Sequence, residues 1–212
     1  MIDLENLQVE AGGRTILRAP NWRLDAGSEA LVLGPSGAGK TTLLNVISGI
    51  LRPTQGRATV LGQDLYAMNE GARDRFRGGK IGIVFQTIRL VRSLSVAENL
   101  ALALRLSGKT STGGAILEAL ARVGIDHLAK AMPARLSVGE SQRAAIARAL
   151  VTRPRLILAD EPTSALDDEN ATRVLGLLQS GARDFGAGLV IVTHDQRLKS
   201  AIANQLVLER AP

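Results

Sequence analysis

The 212-residue chain has no cysteine, and its aromatic complement is one Trp, one Tyr and three Phe. Without thiols, disulfides and thiolate metal sites are excluded. His127 and His194 are the only histidines and stand far apart, which does not make a histidine metal site. No stretch approaches the roughly 20 apolar residues of a membrane span. The start, Met1-Ile2-Asp3-Leu4-Glu5, carries acids where a secretory leader needs bases. The chain is therefore expected to stay in the compartment where it is made and to meet a membrane only through a partner.

What is present sets a frame. A hydrophobic content of 45% over this length suffices for one sizeable core, read as a single domain with an elaboration. The formal charge of +6 is spread over positions such as Arg73, Arg75, Arg77, Lys80, Arg143, Arg148, Arg153 and Arg155. No aromatic residues interleave with them and no reader module accompanies them, so they read as a solvated basic surface and no direct nucleic-acid partner is expected.

The strongest chemical signal is Gly34-Pro35-Ser36-Gly37-Ala38-Gly39-Lys40-Thr41. It lies between the apolar run 30–33 and the helix-like 42–48, so a strand feeds a helix through glycines and aims backbone N–H groups at one anion. Lys40 can reach the β and γ phosphates of a nucleoside triphosphate, and the Thr41 hydroxyl can join a Mg²⁺ shell, with Thr42 following in the helix.

Periodicity gives the surroundings. Strand candidates at 2–9, 15–24 and 57–61 suggest an antiparallel edge, and 81–85 is a short buried strand ending at Gln86. Helical spacing over 95–106 and 115–123 marks an insert. Beyond Pro133 the pattern returns to a parallel sheet, with helices at 141–151 and 171–179 and buried strands at 156–159 and 189–192.

Ligands of such sheets gather beyond the carboxyl ends of the strands. There Asp160 can organise Mg²⁺, Glu161 can act as general base toward a water, and His194 can donate to a γ-phosphate. The Gln86 amide oxygen can also serve a metal. The segment Leu136-Ser137-Val138-Gly139-Glu140 opens a helix, where the Ser137 hydroxyl, the Gly139 backbone and the helix N-terminus form a second anion receptor.

With these residues assembled, the chain resembles the ATP-binding-cassette ATPases over essentially its whole length. Residues 34–41 match Walker A, Gln86 the Q-loop, 136–140 the signature, 156–161 Walker B with the catalytic glutamate, Ser164-Ala165-Leu166-Asp167 the D-loop and His194 the H-loop. The resemblance implies an α/β fold: a P-loop NTPase core with an antiparallel β-subdomain and an inserted α-helical subdomain, near 89–152. It implies ATP and Mg²⁺ as ligands, with Thr41, Gln86 and Asp160 at the metal and Glu161 and His194 catalytic. Two such domains stack head to tail, so Ser137 and Gly139 serve the nucleotide of a second copy or a homologous subunit.

The strings 84–88, 94–100, 158–163 and 192–197 are similar to the small ATPases of the lipoprotein-release, macrolide-export and cell-division group. These pair with a separate transmembrane permease on the cytoplasmic side of the inner or plasma membrane. In that group the permease meets the helical subdomain, here near Arg89, Leu90, Val91, Leu94 and Ser95. The alternatives are a force-coupling or binding module with little hydrolysis and a soluble cassette ATPase acting on nucleic acid. Two departures stand out: Val138 replaces the first signature glycine, and Ala11 stands where relatives carry an adenine-stacking aromatic ring.

Overall fold

In the computed structural model, which describes residues 1–164 and 166–210, the strands form two sheets. β1 (Ile2–Ala11) pairs antiparallel with β2 (Arg14–Arg18), β3 (Trp22–Leu24) and β5 (Gln55–Val60), and β6 (Gln63–Asp64) extends the edge beside β5. The second sheet is parallel. Its order is β10 (Gln205–Val207), β4 (Glu29–Leu33), β9 (Gly188–Val192), β8 (Leu156–Asp160) and β7 (Ile81–Val84).

Side chains that alternate along these parallel strands separate two cores. Leu31, Leu33, Ile157, Ala159, Leu189 and Ile191 face one, built with the helices that follow β7. Ala30, Val32, Leu156, Leu158, Val190 and Val192 face the other, shared with the antiparallel sheet and α1 (Lys40–Ile47). The strands are apolar on both sides because both faces are covered.

The helical stretch contains α3 (Val96–Leu106), α4 (Gly113–Arg122) and α5 (Val138–Leu150), with 3₁₀ turns at Asp126–Leu128 and Pro133–Arg135. His127 lies exposed in the first of these turns. α6 (Asp168–Phe185) then returns the chain to the sheet.

Several boundaries differ from the periodicity. The region 15–24 is two strands rather than one, interrupted at Ala19 and Pro20. α5 starts three residues ahead of 141 because Ser137 caps it through Glu140 N, and α6 starts three ahead of 171 because Asp167 accepts from Asn170 N. α2 (Glu70–Lys80) has no counterpart in the periodic reading. It has no fully buried residue and carries Gly71, Gly78 and Gly79, so it shows almost no apolar stripe. Asn69 caps it through Ala72 N, and Arg73, Arg75, Arg77 and Lys80 all ride on it.

Candidate functional site

Four of the chemically loaded segments leave the parallel sheet at the same end. The loop 34–39 follows β4, Phe85 and Gln86 follow β7, Asp160 and Glu161 end β8, and Thr193 and His194 follow β9. A cleft of about 690 Å³ results, lined by Ile16, Ser36, Gly37, Gly39, Lys40, Thr41, Thr42, Gln86, Glu161 and His194. Gly34, Pro35 and Ala38 complete the loop without being part of this lining.

Two of the loop glycines have distinct reasons. Gly39 sits at φ +85°, and a Cβ there would come within 2.6 Å of the Ile16 carbonyl oxygen. Gly34 needs no unusual φ, but a Cβ on it would meet the Leu208 carbonyl at 2.6 Å, where the chain after β10 closes over the loop. Gly39 lets α1 begin without a side-chain cap and with no acid in its first turn, so the amides and the positive end of the helix dipole remain open to an anion. The buried Lys40 reaches back along the loop, its Nζ donating to the carbonyls of Gly34 (2.9 Å) and Pro35 (3.2 Å).

Thr41 Oγ1 donates to Asp160 Oδ2 at 2.9 Å, joining the loop to the end of β8. Asp160 is 4% exposed and its Oδ1 has no hydrogen-bond partner. Desolvation, partly offset by the Thr41 hydrogen bond, raises its pKa above the usual carboxylate value. A buried carboxylate oxygen without a partner, beside the hydroxyl of Thr41, which lines the same cleft as Gln86, is a hard oxygen donor set that fits Mg²⁺. Among the described residues no cluster of three or more His, Cys, Asp or Glu offers another metal site.

Glu161 is the most constrained residue of the cleft. Its backbone lies at φ +47°, a left-handed conformation that is strained for a residue with a Cβ. The strain is held by Glu161 N donating to Val192 O at 2.8 Å. Its Oε2 accepts from Thr193 Oγ1 at 3.0 Å and from His194 N at 3.4 Å, and Oε1 lies 2.6 Å from His194 Nδ1. The side chain of His194 is 66% exposed, so its ring stands between the carboxylate and the open cleft.

Three positioning residues escaped the sequence reading. Thr193 is fully buried and holds Glu161. Gln142 of α5 donates to Pro162 O at 3.0 Å, tying that helix to the segment after Glu161. Asn99 accepts from Val91 N at 2.7 Å and donates to the carbonyls of Val91, Leu94 and Ser95, fixing the loop downstream of Gln86. Thr193 and Gln142 act through contacts distant in the chain, and Asn99 acts on the loop just ahead of its own helix, where its burial as a polar residue in an apolar helix left a local trace.

Ser137 and Gly139 do not line this cleft. They stand at the start of α5, with Ser137 and Val138 exposed. Val138 is an ordinary helical residue there, 62% exposed, so its β-branched side chain crowds nothing within its own subunit. Ala11 is not part of the cleft lining, which among the described residues offers Ile16 and no aromatic side chain. In the D-loop string, Ala165 is outside the described residues. Leu166 O accepts from Arg197, which also binds Asp195 and Asp168.

A second groove, of about 360 Å³, is lined by residues of α2, β7, α3 and α5. Phe85, Arg89, Val91, Leu102, Leu106 and Arg148 contribute to its lining. Of the contact residues read from the sequence, Arg89 and Val91 line it. Leu90 is instead in the core, and Leu94 and Ser95 are not part of it, Ser95 being the cap of α3. Among the described residues no helix is long and apolar enough to cross a membrane.

Comparison with known proteins agrees with this geometry. The chain is 40% identical over 196 residues to the lipoprotein-releasing system ATP-binding protein LolD of Psychrobacter arcticus, covering 91% of this chain and 87% of that protein. It is 43% identical over 205 residues to the methionine import ATP-binding protein MetN of Myxococcus xanthus, covering 94% of this chain but only 62% of that longer protein. It is 40% identical over 187 residues to the ABC transporter ATP-binding protein YtrE of Bacillus subtilis, covering 87% of this chain and 81% of that one. The fold superimposes on a dimeric post-hydrolysis structure of the ATP-binding cassette MJ0796 bound to ADP and Pi. The TM-score is 0.90 at 32% identity, over 98% of this chain and 94% of that one. The pattern of the family described as "ABC transporter" matches residues 17–164, and the chain belongs to that family of ATPases.

Proposed function

We propose that this chain is the ATP-hydrolysing subunit of a membrane ABC complex, in which ATP-driven closure of two such subunits powers export or transmits force across the membrane. The observation that carries the reading is the meeting, in one cleft, of the Lys40 loop, the Thr41–Asp160 pair and the Glu161–His194 pair.

The open amides of α1 and the Lys40 ammonium take the triphosphate, exchanging the loop's own carbonyls for phosphate oxygens. Thr41, Asp160 and Gln86 hold Mg²⁺, which neutralises phosphate charge when bound. Glu161 accepts a proton from the water that attacks the γ-phosphorus as the bond to the β-phosphate oxygen breaks. Thr193 and the His194 amide hold Oε2, and this fixes the direction of Oε1. His194, next to the carboxylate and exposed to the cleft, contacts the γ-phosphate. With no ring near the base, recognition rests on the phosphates.

Ser137 and Gly139 serve the nucleotide of the opposite subunit, a second copy or a homologue. The exposure of Ser137, the position of both outside their own cleft and the dimeric state of the MJ0796 neighbour support this. The groove beside Arg148 receives a transmembrane permease from the cytoplasmic side of the inner or plasma membrane. Its apolar walls carry Arg89 and Arg148, and neither has a carboxylate within ion-pair distance among the described residues. The coverage of lipoprotein-releasing relatives over most of their length favours export of lipid-linked or similar hydrophobic cargo.

The test is E161Q. Removing the base while keeping shape and hydrogen bonding should lower hydrolysis by about 10²–10⁴-fold. ATP binding should survive, and a dimer should persist in ATP and Mg²⁺. Phosphate release near the wild-type rate would remove Glu161 from its role.

A further inference from the structure

The hydroxyl and the amide of Ser137 are already engaged. Ser137 Oγ and Ser137 N both donate to Glu140 Oε2, each at 2.8 Å, while Glu140 N donates to Ser137 Oγ at 3.3 Å. A hydroxyl has one proton to donate. As long as Glu140 accepts it, Ser137 cannot donate to a phosphate.

We infer that Glu140 is an internal competitor for the signature serine, which the triphosphate of the opposite subunit must displace before the dimer closes. This rests on the cross-dimer reading above. The carboxylate opposes closure twice, by occupying the donors and by placing a negative charge where a polyanion must arrive. Hydrogen bonds from the Ser137 backbone and hydroxyl hold the Glu140 pKa below its usual value, and Arg143 and His127 act in the same direction. At neutral pH it is therefore an anion.

The same geometry occurs at a second place in the chain. At the start of α3, Ser95 Oγ and Ser95 N each donate to Glu98 Oε2 at 2.7 Å, and Glu98 N donates back to Ser95 Oγ at 3.3 Å. That box caps an ordinary helix and supplies an internal control. If Glu140 only stabilised α5, neutralising either glutamate would have the same consequence. If it competes with phosphate, only the change at 140 reaches the ATP dependence of association.

The experiment uses the full chain carrying E161Q, with dimerisation followed by sedimentation or light scattering as ATP and Mg²⁺ are titrated. Adding E140Q should lower the ATP concentration at half-dimerisation by roughly three- to tenfold, because a neutral amide accepts more weakly and carries no charge. It should also weaken the dependence of that midpoint on salt. Adding E98Q instead should leave the midpoint in place, and S137A should abolish the gain from E140Q.

An unchanged or higher midpoint with E140Q overturns the inference, as does an equal gain from E98Q or a gain that survives S137A. A parent E161Q protein that binds ATP yet stays monomeric overturns the dimer reading itself, and the inference with it.

Discussion

Helix α1 begins after Gly39 with no side chain over its first turn and no acid within it, whereas α5 begins after Ser137 with a hydroxyl and a carboxylate folded onto its amides. Both were read from the sequence as anion receptors. A helix start closed by its own carboxylate has satisfied the donors that an open start leaves unpaired. The open start lies in the cleft with Lys40, and the closed one lies outside it. On the proposed reading, nucleotide capture within a subunit is direct, and engagement of α5 requires an exchange of partners.

The largest expected effect tests the open start. G39A puts a side chain at φ +85°, with its Cβ 2.6 Å from Ile16 O. It should lose roughly 2–3 kcal/mol of stability, a fall in Tm of about 4–12 °C, together with nucleotide binding. A protein that melts with the wild type and still binds ATP would break the contrast between the two helix starts.

D160N sharpens the cis side through a change of sign. The folded pKa of Asp160 is raised by burial above the ordinary 3.8. Its ionisation therefore counts against the fold as pH rises through the folded value, and not below the unfolded one. Without Mg²⁺ and nucleotide, D160N should melt above wild type at pH 7, and the gap should close as pH falls toward the ordinary Asp value. With Mg²⁺ and ATP the order should reverse, because the proposed metal ligand is gone. The same order under both conditions would separate Asp160 from the metal.

S137A probes the closed start. Loss of the cap should lower stability by about 1 kcal/mol, seen as a shift of about 2–4 °C in Tm, and should leave ATP binding by the monomer intact. The smallest effect is expected from V138G, at most about 1 kcal/mol from helix propensity, since the valine is exposed and helical. Destabilisation by V138G equal to that from G39A would erase the distinction.

What could be read in the chain follows from how local each cause is. The loop 34–41, Asp160, Glu161 and His194 were legible because each string sits at the end of an apolar strand, and the sheet collects those ends. The boxes Ser95–Glu98 and Ser137–Glu140 were also legible in their spacing, a serine followed three residues later by glutamate. Attention to that spacing would have placed the start of α5 correctly. α2 was not legible, because its half-buried face carries only Ala72 and Phe76 as apolar residues among glycines and charges, too few to read as a stripe. Thr193, Gln142 and Asn99 were not legible as positioning residues, because their partners lie in other turns or strands.

The sequence by itself determined the phosphate loop, the acids and histidine that accompany it, and the alternation that builds a parallel sheet with two covered faces. Those depend on covalent neighbours and on side-chain spacing along one element. Only the tertiary structure decided that Thr41 meets Asp160 and that Thr193 and His194 hold a strained Glu161. Such contacts are settled by which groups remain unsatisfied once the strands are brought together.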